Sequence, residues 1–330
     1  MVAINRKTLI VVGIYLTTSP AIASTDTLID YSSRPDAGVY LGNQVAASTL
    51  FSHTLHQRKT APGDSQFWMR ASGYHSKDLS AGDNGLPVDM DRQVFMLGGD
   101  LLALDNNKEE WTAGLMTGYG HAKSSANSAT LSSEGKVDGY SIGAYSTWYQ
   151  DKKKHSGAYV DSWLQYAWFN NSVTYAQGKQ NYDSTGFSAS LETGYALQPF
   201  SALELIIEPQ LQIIYNRFDA DNYQDPAGVY IHQADAPNFT SRVGIRWYSD
   251  QDDYTTAYLA TNWWHNSGKS AVNFNDTRVE TNALDDLFEV KLGLHSPSTY
   301  NMQLWFEGGI TMGANSYQDY GGTLGVSYRW

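Results

Sequence analysis

Residues 321–330 alternate strictly between two faces, with Leu324, Val326, Tyr328 and Trp330 on one and Thr323, Gly325, Ser327 and Arg329 on the other. A strand built this way is apolar on one side and polar on the other, which suits a wall between lipid and water. The edge strand of a soluble sandwich alternates in the same manner, so this stretch alone does not decide between them. Alternation of this kind recurs in about twelve segments, near 65–75, 91–103, 110–121, 137–149, 157–170, 184–197, 203–217, 239–249, 254–265, 286–296, 302–313 and 320–330. An even number is what a bacterial outer-membrane barrel requires. Residues 38–58 break the pattern: they are rich in Ala, Ser, Leu and amides and predict one helix of about twenty residues, ~30 Å long and too polar for lipid but suited to a mixed channel. Ala61, Pro62, Gly63 and Asp64 end it.

The connections between the strand segments fall into two kinds. Those at 105–109, 151–156, 198–200, 250–253 and 297–299 are short, whereas those near 76–90, 122–136, 171–183, 218–238 and 266–285 are long and rich in Asn, Asp, Ser and Gly. Short turns on one rim and long polar loops on the other are how outer-membrane barrels are built, and a soluble sandwich has no reason to sort its loops so. Facing follows from charge, since an Arg or Lys toward lipid near the midplane costs about 2–4 kcal/mol. Arg70, Asp100, Asp161, Glu192, Glu208, Arg242, Arg246, Glu289 and Lys291 therefore point into the lumen. In the same phase lie Gly98, Gly114, Gly118, Gly143, Gly194, Gly244, Gly293, Gly309 and Gly325. Glycine weakens a strand and marks close approach, so something bulky is expected inside, and the 38–58 helix is the candidate.

At the amino end, Arg6 and Lys7 precede an apolar run at 9–16 and then Ala21, Ile22 and Ala23 before Ser24. This is the order of a secretory signal peptide with cleavage between Ala23 and Ser24, and the run falls far short of the ~20 residues a spanning helix needs. Cysteine is absent, so an exported chain of this kind relies on hydrogen bonding and packing and offers no thiolate chemistry. A net charge of −12 argues against a nucleic-acid partner. Twenty-three Tyr and ten Trp are many for so polar a chain, and such rings favour surfaces with one dry and one wet side. The eight histidines are scattered, with no HExxH or Cys/His metal pattern and no Ser, His and carboxylate cluster identifiable from spacing. Asp83 with Asp89, or Asp219 with Asp221, are carboxylate pairs of a kind a surface protease would use, but solvated loop charge explains them more simply.

Several stretches carry a resemblance to a known family: Tyr40-Leu41-Gly42-Asn43-Gln44-Val45-Ala46-Ala47 running on to Leu55-His56-Gln57-Arg58, Phe67-Trp68-Met69-Arg70, Leu97-Gly98-Gly99-Asp100, Gly139-Tyr140-Ser141-Ile142-Gly143, Ala158-Tyr159-Val160-Asp161, Glu208-Pro209-Gln210 and the terminal strand. Over about 37–330 the chain is similar to the translocator barrel of AIDA-like autotransporters, the type V secretion proteins of Gram-negative bacteria. The resemblance implies an all-β fold, a twelve-stranded antiparallel transmembrane barrel with an N-terminal helix threaded through its lumen and a passenger emerging at the cell surface. It implies the segments 1–23 (signal), 24–36 (short lead in place of a passenger), 37–60 (pore helix, with Asn43, Gln44, Ala47, Leu50, His56 and Arg58 facing the wall) and 61–330 (barrel). Thr323, Gly325, Tyr328 and Trp330 resemble the signal read by the barrel-assembly machinery. The partners implied are outer-membrane lipid, that machinery, periplasmic chaperones and the Sec translocon; neither cofactor nor metal nor enzymatic activity is implied. The family's long passenger, and the Asn-Asn pair at which some relatives cleave themselves inside the pore, are not found here. A barrel whose own loops act as an adhesin or receptor, a porin-like channel, and a remnant that keeps only the fold stand as the alternatives.

Overall fold

The structure, a computed structural model, describes residues 34–58, 65–80, 85–106, 108–151, 157–200, 205–225, 228–233, 238–249, 254–281 and 284–330. The expected signal segment with Ala23 and Ser24, the break at 61–64, residues 152–156 of the 151–156 turn, Asp83 and the 250–253 turn lie outside the described residues. The helix α1 (Pro35–Thr49) comes first. The strands follow as β1 (Gln66–Ser80), β2 (Pro87–Asp105), β3 (Glu110–Asn127), β4 (Ser132–Tyr149), β5 (Gly157–Tyr175), β6 (Gly178–Phe200), β7 (Leu205–Ala220), β8 (Tyr223–Gln224), β9 (Tyr230–Gln233), β10 (Asn238–Ser249), β11 (Thr256–Asn266), β12 (Ala271–Phe274), β13 (Thr277–Glu280), β14 (Asp286–His295), β15 (Met302–Met312) and β16 (Gln318–Arg329).

Twelve of these strands close a barrel in the order β1-β16-β15-β14-β11-β10-β7-β6-β5-β4-β3-β2, with antiparallel pairing throughout. Each of the twelve segments expected from alternation overlaps one of them. The seam between the ends of the chain runs from Gln66↔Arg329 to Lys77↔Gln318, and the Trp330 N–H donates to the Ser65 carbonyl at 3.1 Å. With no free edge, every backbone group of the wall can pair within it, as hydrocarbon demands. Strands β4, β5 and β6 run further toward the long-loop rim than expected: Ser172↔Asn181 and Tyr175↔Gly178 still pair there. Such Ser, Thr and Asn residues read as loop, but a hairpin satisfies its own backbone in water as well as in lipid.

The outer face carries Leu115, Ile142, Leu164, Leu191, Leu211, Leu292 and Leu324, all exposed. Toward the long-loop end Tyr119, Tyr140, Trp168, Phe187, Phe239 and Trp263 join them, a girdle such as forms at a membrane interface. The inner face is polar and charged, and α1 fills much of it, with residues Pro35 to Ala47 buried.

The helix departs from expectation at both ends. It begins at Pro35, whose ring suits the first turn of a helix, and it stops at Thr49 rather than running to 58. Ser48 Oγ and Thr49 Oγ1 turn back onto the Gln44 and Val45 carbonyls, both at 2.8 Å, which favours an end to the helix there. Thr54 and Gln57 then form a capping box that opens a separate 3-10 turn, Leu55–Gln57. His56, expected on the helix, therefore belongs to this turn, and Arg58 is the residue that caps it.

Four short strands fall outside the wall. Strands β13, β12, β9 and β8 pair in that order into a small sheet built from two of the long connections, which the sequence presents as polar loops. Its buried residues Ile231, Val272 and Phe274 share one apolar cluster with Tyr40 of α1, whose ring meets Phe274 edge-on at 5.8 Å and lies 6.3 Å from Tyr223. Burial pushes the Tyr223 phenol well above its ordinary range.

Candidate functional site: the occupied lumen

The lumen is filled differently in its two halves. In the half nearer the long loops the contact is close and mainly apolar. A Cβ on Gly38 would come within 2.8 Å of Val88 and one on Gly42 within 3.0 Å of Ser124, so these two positions let the helix lie directly on β2 and β3. Wall glycines answer them: Gly118 and Gly120 face Phe51 and Leu50, and Gly135 faces Asn43 and the Val39 carbonyl. Asn43 Nδ2 donates to the Ser172 carbonyl at 3.1 Å and to Tyr182 Oη at 3.3 Å. Gln44, Ala47 and Leu50 are buried alongside.

Most of the inward glycines have another occupant. Gly98, Gly114, Gly194, Gly293 and Gly325 each lie directly across a ladder from an aromatic residue, namely Trp68, Tyr145, Tyr159, Tyr258 and Trp305, whose ring covers the glycine. Gly143, Gly244 and Gly309 are covered in the same way by Gln165, Asn262 and Lys291. The reading that all the inward glycines make room for the helix is corrected accordingly: of the nine, Gly118 contacts this inner segment, while the other eight let a large neighbour on the adjacent strand lie flat along the wall.

Toward the short-turn end the contacts become charged. Arg58, 1% exposed, donates through Nη2 to Asp161 Oδ1 at 2.5 Å and to Thr147 Oγ1 at 3.1 Å, and its guanidinium lies 4.1 Å over the Tyr145 ring. His53 Nδ1 donates to the Phe51 carbonyl at 3.0 Å, which leaves Nε2 to accept from Arg58 Nη1 at 3.2 Å. The His53 ring stacks on Trp163 at 4.8 Å. His56 is bridged on both sides, its Nε2 donating to Glu208 at 2.6 Å and its Nδ1 accepting from Arg246 at 3.2 Å. The Leu55 N–H donates to Glu192 at 3.0 Å, and Gln57 donates to Glu307 at 2.5 Å. Four wall acids thus close on four consecutive residues, and in a water-poor interior such charge-assisted bonds are about twice as strong as neutral ones.

All nine charges assigned to the lumen are buried. Asp161, Glu192, Glu208 and Arg246 touch the inner segment directly. Asp100 instead accepts from Tyr145 Oη and the Gln66 N–H, Arg242 pairs with Glu192 at 2.9 Å, and Lys291 bridges Glu289 and Glu307. Arg70 meets the Met96 sulfur at 3.0 Å. Sequence reasoning missed His53 and Glu307. Glu307 was accessible, because it has the phase of the inward Gly309; His53 was not, because the segment carrying it has no period. At the seam, Thr323 exchanges hydrogen bonds with Ser72 at 3.0 Å and Tyr74 at 3.2 Å, Gly325 lies under Trp305, and Tyr328 and Trp330 are exposed on the outer face. Asp89, Asp219 and Asp221 are exposed, and no cluster of metal-ligating side chains occurs among the described residues.

A family model described as the autotransporter beta-domain matches residues 67–309. The chain is 35% identical over 326 residues to YdeU, an uncharacterized protein of Escherichia coli K12, covering 90% of this chain and 70% of that one. It is 28% identical over 328 residues to the autotransporter adhesin AIDA-I of Escherichia coli, covering 90% of this chain but 25% of that relative's length. Among solved structures, the transport unit of AIDA-I from Escherichia coli matches with a TM-score of 0.82 at 27% identity, covering 90% of this chain and 99% of that one.

Proposed function

Because the chain belongs to the autotransporter β-domain family, and so resides in the outer membrane of a Gram-negative bacterium, we propose that its barrel leads the segment preceding Arg34 to the cell surface and is then closed by residues 34–58. The observation that carries this reading is the direction of the inner segment. Gly38 rests against Val88 and Ala126 at the long-loop ends of β2 and β3, whereas Arg58 sits beside Thr147 and Asp161 at the short-turn ends of β4 and β5. Long loops face the exterior in barrels of this type, so the chain enters from the periplasmic rim and leaves toward the outside.

In this reading the barrel performs no covalent chemistry; its buried acids and bases hold the inner segment. The chain travels through the Sec translocon and periplasmic chaperones to the barrel-assembly machinery, which receives β16 through Thr323, Gly325, Tyr328 and Trp330. A reporter domain fused after Ser24 tests the display step. On intact cells bearing folded barrel, protease is expected to remove the reporter. A reporter that stays protected, while the long loops of the same barrel are cleaved, would sink the display reading and favour a barrel that acts through its loops.

A further inference from the structure

Because α1 leans mainly on β3, β4 and β5, it leaves a cavity of about 220 Å³ beside it, against β1, β2, β7, β10, β11 and β14 to β16. Part of its lining is apolar, from Val45 and Leu50 of the inner segment and Ile214, Trp264 and Leu287 of the wall, and part is charged, from Arg92, Glu289, Lys291 and Asp319. Arg70, which is 4% exposed, also lines it. Among the described residues its guanidinium has one hydrogen-bond partner, the Met96 sulfur, and its Nε has none. No carboxylate among the described residues lies within ion-pair distance of it.

The acids around the cavity are all engaged elsewhere. Glu289 is held by Lys291, Asn262 and Trp264, Asp319 by Arg92 and Ser76, and the nearby Glu307 by Gln57, Tyr258 and Lys291. A guanidinium cannot shed its proton, and a buried charge without a partner is costly. A sulfur acceptor answers neither its charge nor its remaining donors. Every other cation of the inner cluster, Arg58, Arg242, Arg246 and Lys291, has an acid or imidazole beside it.

We infer that this cavity is a binding site for a small amphiphilic anion, with a carboxylate head on Arg70 and an apolar body of about ten heavy atoms between α1 and the β10 to β14 wall. The size follows from the volume, since an apolar cavity of roughly 150 Å³ accepts benzene and this one is larger. The head is a planar, two-oxygen acid because the guanidinium fork matches it. Bound there, the ligand would fill the gap beside the helix and neutralise the unmatched charge.

The test uses the whole folded chain in lipid nanodiscs and sodium octanoate as the probe, with binding read by calorimetry and by Trp264 fluorescence. Octanoate is expected to bind the wild type, and to bind Arg70→Gln at least ~10-fold more weakly, as loss of a charge-assisted pair implies. Octanol, which has no charge, is expected to bind at least that much more weakly as well. Leu287→Trp fills the space beside the apolar lining while keeping Arg70 and should also abolish binding; it stands in if Arg70→Gln proves unable to give heat-modifiable barrel. Equal affinity for wild type and both variants, no binding to the wild type, or binding of inorganic phosphate as tight as octanoate would each overturn the assignment.

Discussion

Arg58 and Asp161 illustrate how far a single residue can be read before its partner is known. Alternation along β5 turns Asp161 inward, but its cation lies 103 positions earlier in a stretch without period, so nothing in the sequence joins them. Both side chains are almost wholly buried, so removing one leaves the other charged and unmatched, at a cost of about 3–5 kcal/mol. Arg58→Met is expected to lower the stability of the folded barrel by that order, seen as a lower urea midpoint for loss of the heat-modifiable form. Adding Asp161→Asn should restore much of the loss, because the double variant buries no stranded carboxylate. Strictly additive losses in this cycle would mean that the pair does not couple. The glycines carry a similar lesson. Their inward phase was legible, but what covers each one depends on the cross-strand register, which puts Gly325 opposite Trp305 and Gly98 opposite Trp68.

Among the elements, the barrel strands were legible because lipid outside and charge inside impose a period of two on every one of them. The inner segment has no such two-sided solvent. Its helix ends where Ser48 and Thr49 bond back to their own turn, a local competition that composition alone does not resolve. The small sheet was missed because its strands are two to four residues long and its two local hairpins are joined by a pairing across some forty positions, Asn273↔His232. Residues 34–58 occupy the channel as α1 and the turn after it, and a helix with its side chains is ~10–12 Å across. Deleting them is therefore expected to raise single-channel conductance in a planar bilayer well above that of the intact protein. Unchanged conductance from a deletion variant shown to be folded would mean that the segment does not close the pore.

For the whole molecule, the sorting of short turns and long loops onto opposite rims told more than any one strand, because the two rims of a membrane barrel face different compartments while both ends of a soluble sandwich face the same water. Closure depends on the last strand: Tyr328 pairs with Phe67 on one side and Met302 on the other, with its ring on the lipid face. Replacing Tyr328 with Asp, or deleting Trp330, is expected to reduce the amount of folded barrel recovered from outer membranes, since each change removes an apolar ring from the closing strand. Undiminished levels of both variants would remove the case for an assembly signal at these positions. The two halves of the inner contact also differ in how they would bear load. A pull on the chain from outside the cell first meets the apolar packing around Tyr40, which yields gradually because it has no preferred direction. It then meets the charged bonds at residues 55–58, which are short and directional and so resist until they break together. The segment is fastened like a rope with a knot at its inner end: slack in the outer half is harmless, and tension from the surface is carried by the last turn, against the rim where the chain joins β1.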